Sequence, residues 1–202
     1  MEETRSAKRR RIVIGTLVVI ILFILPAGSW FYLQSGLNHR TKALAELGDF
    51  GKITTFNLPY QGGLLAVPDD LRGKVSVVNF LSGDSKADQL ACERIGKVHK
   101  SFDETDGVVF LSFIPADSSA NLLQLATTLG IEDYKQQFLI GVQKPEWQRL
   151  ASEVFKMENP ASDVALADTS LTVRNYYDIH NNTSMGRLVE HIALIVPKQN
   201  RR

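Results

Sequence analysis

Val75-Ser76-Val77-Val78-Asn79-Phe80-Leu81-Ser82-Gly83-Asp84-Ser85-Lys86-Ala87-Asp88 is the stretch that decides the fold. Its first half is a short run of β-branched and aromatic residues, the pattern of a strand buried on both faces. Ser82-Gly83 breaks the run, and a helical pattern begins at Ser85, with Ala91, Ile95, Val98 and Phe102 along one face at 3.6-residue spacing. Strand, tight loop and helix N-terminus therefore follow one another within about a dozen residues. Ser85-Lys86-Ala87-Asp88 has the Ser-x-x-acid spacing of a capping box, and Asp84 adds a second acid where the helix dipole favours negative charge.

On the C-terminal side of this stretch the elements alternate. A strand is expected at Val108–Ile114, then a helix from Ser118 or Ser119 to Leu129, stopped by Gly130. A short strand at Phe138–Val142 is followed by a helix that Pro145 opens. Val164–Ala167 and Leu171–Tyr177 form two strands joined at Asp168-Thr169-Ser170, and a last helix runs from about Thr183 to Ile195. On the N-terminal side, Ile53–Leu58 and Leu64–Val67 flank Tyr60-Gln61-Gly62-Gly63 and predict a hairpin. Strands alternating with helices indicate an α/β domain over residues 51–198, with a short tail at 199–202.

Further upstream the composition changes. Residues 1–11 carry Arg5, Lys8, Arg9, Arg10 and Arg11, and no charge interrupts the chain from Ile12 to Gly36. About 20 apolar residues span a bilayer, so residues 12–33 form a transmembrane anchor, with Trp30 and Tyr32 suited to the far interface. The basic tail, 1–11, belongs in the cytoplasm by the positive-inside rule, which puts the domain outside it. In a Gram-negative bacterium that means the inner (cytoplasmic) membrane and the periplasm. Cleavage of a signal peptide near Pro26-Ala27-Gly28-Ser29 is the competing reading; resumption of hydrophobicity after Ser29 favours the uncleaved anchor. No cysteine lies near this point, which excludes a bacterial lipoprotein. Residues 34–50 are expected to be a juxtamembrane connector that packs loosely or acts as a spacer, with a short helical pattern around Thr41–Leu47.

Over its whole length this pattern resembles the Sco/SenC family of membrane-anchored, thioredoxin-like proteins of cytochrome c oxidase copper-site assembly. The resemblance rests on Val77-Val78-Asn79-Phe80 with its three-residue loop, on Leu71-Arg72-Gly73-Lys74 before the strand, and on Leu171–Asp178 after the Asp168 turn. It implies a thioredoxin-like fold, a central mixed sheet flanked by helices, after one transmembrane helix. It also implies a site. In the family a Cys-x-x-x-Cys follows the strand, and a distant histidine before a Leu-x-Asp completes a copper site. Here the cysteine positions hold Asp84 and Asp88. Counting back from Leu166-Ala167-Asp168, the histidine position falls at or near Pro160. All three ligands are missing, and two hard carboxylates are poor ligands for Cu(I). Copper is the family's cargo, but no metal or other cofactor is expected here.

The chain has a single cysteine, Cys92, one helical turn past Asp88. Disulfide exchange needs a second thiol, so dithiol redox catalysis is excluded for the isolated chain and no enzyme activity is expected. Cys92 reads as a small buried hydrophobe, or alternatively as a thiol for an intermolecular disulfide. Asp84, Asp88 and Cys92 share one helical face at i, i+4 and i+8, which keeps open an atypical metal or thiol-redox site. A lone peroxidatic thiol is disfavoured by the mid-helix position, since thiolate stabilisation belongs to the first turn. His39, His99, His180 and His191 show no ligand spacing, and Asn181-Asn182-Thr183-Ser184 reads as turn and cap chemistry.

With 44% hydrophobic residues and a net charge of +1, the 202-residue chain has no global basic field. The cluster at residues 8–11 is a topology signal rather than a nucleic-acid site. The expected role is that of a non-catalytic binding or assembly factor. Its expected partners are the lipid bilayer and a protein such as a copper chaperone or an oxidase subunit.

Overall fold

The computed structural model describes residues 13–54, 56–63, 65–117 and 120–197. The basic tail 1–11, the expected helix start at Ser118 or Ser119 and the tail 199–202 lie outside the described residues. The chain divides into two compact units, Met1–Ala45 and Glu46–Arg202.

The first unit is one helix, α1, Val13–Ala45, of 33 residues, whose most apolar window has a mean hydropathy of 2.3 and no buried residues. By length and composition it can cross a membrane. At 1.5 Å per residue it is about 50 Å long, against about 30 Å of bilayer hydrocarbon. The helix thus continues well beyond the apolar segment. The expected connector at 34–50 is helical as far as Ala45, because Leu37, Lys42, Ala43, Leu44 and Ala45 are good helix formers. A widened π-turn at Ile20–Ile24, closed by the Leu25 N–H donating to the Ile20 carbonyl, stands directly before Pro26. Proline lacks an N–H and crowds the carbonyl four residues back, and a local widening of this kind accommodates both.

In the second unit a five-stranded sheet has the order β5-β4-β3-β6-β7. Strands β3 (Val75–Phe80), β4 (Val108–Pro115) and β5 (Gln137–Val142) are parallel, while β6 (Asp163–Ala167) runs antiparallel to β3 and β7 (Val173–Asp178) antiparallel to β6. All six residues of β3 are buried, as expected for a central strand covered on both faces. Val75 and Val77 face Ile95 and Val98 of α2 (Ser85–His99) and Leu188 and Ile192 of α5 (Asn182–Ile195). Val78 and Phe80 face the opposite way, against Leu150, Val154 and Phe155, which continue α4 (Lys144–Arg149) as a π-turn at Leu150–Val154. Phe80 and Phe113 stack there at 4.9 Å. The short α3 (Leu122–Thr128) begins later than expected, because Asn121 caps it by accepting from the Gln124 N–H. Gly130 ends it at φ +72°, a backbone conformation glycine adopts without cost.

The N-terminal hairpin is only two residues a side, β1 (Leu58–Pro59) with β2 (Leu65–Ala66). Both outer edges of the main sheet are covered. On β5, the Gln61 side chain accepts from the Leu139 N–H at 2.6 Å and donates to the Gln137 carbonyl at 2.6 Å. On β7, the Gly48, Phe50 and Ile53 N–H groups donate to Arg174, Val173 and Leu171 carbonyls, and the Val173 N–H donates to Gly51. Residues 46–53 are therefore not a loose spacer but a strap along the sheet edge, and the globular unit starts at Glu46 rather than at residue 51. Open edges invite foreign strands, and covering them prevents it. Arg187 fastens the strap's first residue by a two-pronged pair with Glu46, while its other nitrogen bonds Glu190 at 2.5 Å.

Candidate functional site

The parallel strands β3, β4 and β5 deliver their following loops to one end of the sheet. Val164 sits opposite Asn79 in the antiparallel β3–β6 pair, so the turn carrying Pro160 enters β6 from that same end. Open α/β sheets place their ligand sites at this end.

The loop Ser82–Asp84 leaves β3 there. Asp84, not Ser85, is the cap of α2: its Oδ1 accepts from the Lys86 N–H at 2.9 Å and the Ala87 N–H at 3.3 Å. The expected Ser85–Asp88 capping box is absent because its acid is turned inward. Asp88 is 3% exposed. Its Oδ1 accepts from the Ser82 N–H at 2.8 Å and the Ser82 hydroxyl at 3.0 Å, and its Oδ2 accepts from the Gly83 N–H at 2.9 Å. The Ser82 oxygen in turn accepts from the Asp84 N–H at 3.1 Å. Gly83 stands at φ +87°, the conformation that presents its N–H to the carboxylate and that side-chain-bearing residues rarely adopt. Asp88 thus locks the loop, Asp84 caps the helix, and the loop's amides are already satisfied.

Cys92 lies one turn further along α2, 8% exposed, packed among Leu81, Ile114 and Leu139. Burial, and to a lesser degree the Asp88 carboxylate, push its thiol up to about 12 from an ordinary 9.0. A thiol held protonated is neither a nucleophile nor a metal ligand. The common helical face of Asp84, Asp88 and Cys92 does not become a site: Asp84 turns to the backbone at the exposed helix start, Asp88 binds the loop, and Cys92 joins the core. Among the described residues, no group of three His, Cys, Asp or Glu side chains could hold a metal ion. The donor set does not fit copper, since one carboxylate is committed to three donors and the only soft ligand is a buried, protonated thiol. Pro160, half-buried in its turn, has no ligand atom in its side chain.

Two of the histidines have side-chain partners outside this loop. His99 Nε2 meets Asp133 Oδ2 at 3.0 Å, and His191 Nδ1 lies 2.5 Å from the Tyr177 hydroxyl. Asn181 caps α5 through the Thr183 and Ser184 N–H groups, as its sequence context suggested.

No protein-family model and no curated protein matches the chain in sequence. Solved structures do. A SCO1/SenC family lipoprotein from Bacillus anthracis superposes with a TM-score of 0.57 at 20% identity, over 71% of this chain and 94% of its own. BsSco, a member of the Sco family of cytochrome c oxidase assembly proteins with a disulfide switch, gives 0.58 at 15% over 72% and 94%. Yeast Sco1 with copper bound gives 0.54 at 18% over 76% and 100%. The fold is thioredoxin-like. At these identities the likeness is one of architecture. The Ser82–Gly83–Asp88 lock was not foreseen from the sequence; an acid five residues after a Gly break is the signal that could have found it.

Proposed function

We propose that the chain is a membrane-anchored Sco/SenC-like protein whose domain lies outside the cytoplasm and acts as a non-catalytic binding or assembly factor. The process it serves is maturation of the cytochrome c oxidase copper site, working with a copper chaperone or an oxidase subunit. The single observation that carries this role is the state of the loop after β3. It has the position of a thioredoxin-type site, yet its acids are spent on holding the loop and helix in place. What the loop offers is a fixed surface of exposed Ser82, Gly83, Asp84, Ser85 and Lys86. Pre-organised surfaces bind with less ordering cost, which suits recognition better than electron or metal transfer. The likeness to Sco structures supports the process, and the apolar helix Val13–Ala45 supports the anchor.

The test is a photo-crosslinking residue at Lys86 in the native membrane. A discrete extracytoplasmic protein should be captured, and the purified chain should neither reduce insulin disulfides nor retain Cu(I) against a chelator. Stoichiometric copper retention or reductase turnover would overturn the proposal.

A further inference from the structure

α2 and α5 cover the same face of the sheet, where both pack on Val75 and Val77. Between them runs a groove of about 410 Å³. Leu90, Arg94 and Lys97 line one wall, and Asn182, Gly186 and Val189 line the other. Each set has the i, i+4, i+7 spacing of one helical stripe, so the groove follows both helices for two turns, about 10 Å. Buried Met185 adds to its apolar lining, and Leu90 stays 42% exposed. Gly186 has nothing within 4 Å of the place a Cβ would take. A glycine inside a helix costs stability, and nothing among the described residues requires one here. What it leaves is room for another backbone to come close.

Charge narrows the guest. Two cations line the groove and no carboxylate does. Glu93 answers Lys97 at 2.7 Å, in an exposed pair of little strength. Asp88 is bound into the loop after β3. Tyr177 joins the core under α5, so its neighbour Asp178 points to the other face of the sheet, opposite Asp163. Arg94 is left as the net charge. Its Nη1 donates to the Ile179 carbonyl at 2.8 Å and to Asn182 Oδ1 at 3.4 Å. Both acceptors are neutral, so they hold the guanidinium in place without cancelling it. A guanidinium fixed in this way is a ready fork for a carboxylate. One turn before Leu90, on the same stripe, stands exposed Lys86, the last residue of the loop surface described above. The groove therefore continues that surface.

We infer that this groove receives an amphipathic helix of the partner protein. Its apolar residues, three or four apart, lie on Leu90 and Val189, an Asp or Glu of the same helix meets Arg94, and its backbone passes close to Gly186. Helix-in-groove recognition works through such spaced apolar anchors. The inference rests on the binding role proposed above and adds the kind of segment the partner offers.

A diazirine analogue of leucine in place of Leu90, in the full chain in its native membrane, tests it once the crosslinked adduct is sequenced. We expect the adduct on a protein segment with apolar residues at helical spacing and more Asp and Glu than Lys and Arg. Gly186→Leu fills the groove and favours the helix, so it should melt no earlier than wild type yet lower the crosslinking yield at least tenfold. Arg94→Gln keeps a donor for the Ile179 carbonyl and removes the charge; it too should lower the yield at least tenfold, the loss of one charge-assisted contact. An unchanged yield in either variant would overturn the inference. So would an adduct on a phospholipid, or on a basic segment without helical periodicity. Crosslinking from Lys86 separates the two proposals. If Lys86 captures a partner and position 90 captures none, the groove assignment falls and the binding role stands. If neither position captures one, the binding role falls and the groove assignment with it.

Discussion

Substituting the two acids of the loop separates their roles. The sequence alone makes Asp84 and Asp88 equivalent capping groups, each worth about 0.5–1 kcal/mol. The structure makes them unequal. Asn caps a helix as well as Asp, so Asp84→Asn loses only the charge at the helix N-terminus, about 0.3–1 kcal/mol. Asp88→Asn is different. Oδ1 and Oδ2 both accept, from Ser82 and Gly83 respectively, and an amide has one oxygen. Whichever way it turns, one loop N–H faces an NH2 group and goes unmet, at about 1–3 kcal/mol for a buried donor. The remaining bonds fall from charge-assisted to neutral strength, about half. Relief from burying a charge offsets part of this, leaving a net loss of about 2–3 kcal/mol. Urea unfolding of the full chain in detergent, followed by Trp147 fluorescence in a Trp30→Phe background, measures both. Equal costs below about 1 kcal/mol would refute the lock. A stabilised Asp88→Asn, with a divalent-metal shift in wild type alone, would show instead two carboxylates repelling across a cation site.

Cys92 should resist Ellman's reagent at pH 8 in the folded chain and react fully in denaturant. Its folded-state pKa is raised, so its contribution is intact below pH 9 and is lost as pH climbs towards 12, which alkaline melts of wild type against Cys92→Ala would detect. At Asp133, burial pushes the carboxyl up, but the Lys135 N–H and His99 outweigh it and hold it below the usual range. That stability is present above about pH 4 and lost as pH falls below it, so His99→Phe should flatten the acid limb of the stability profile. Glu46→Gln should loosen the strap on β7 and expose residues 46–53 to limited proteolysis before the rest of the domain. Protease added to intact spheroplasts should remove the domain; protection until lysis would reverse the proposed orientation.

The frame was legible where signals are local. The all-apolar run at Val75–Phe80, the break at Ser82-Gly83, Gly130, Pro145 and the Asn181 cap all sit where periodicity and turn chemistry put them. What escaped depends on contacts distant in sequence. The strap at 46–53 exists because β7 has an open edge, which nothing in residues 46–53 announces. Gln61 looked like a turn residue, yet its buried amide stands in for a strand on β5. At the site the miss was one residue in register. Asp84 took the cap ahead of Ser85, and Asp88 was drawn inward by two loop N–H groups that otherwise lack an acceptor.

As proposed, this thioredoxin-like domain works by binding through a locked loop, without thiol chemistry. Crosslinking from Lys86 in the native membrane, with wild type and Cys92→Ser side by side, tests it most directly. A discrete partner captured in equal yield from both chains is the predicted result. Loss of capture in Cys92→Ser, or no capture from either, would contradict it.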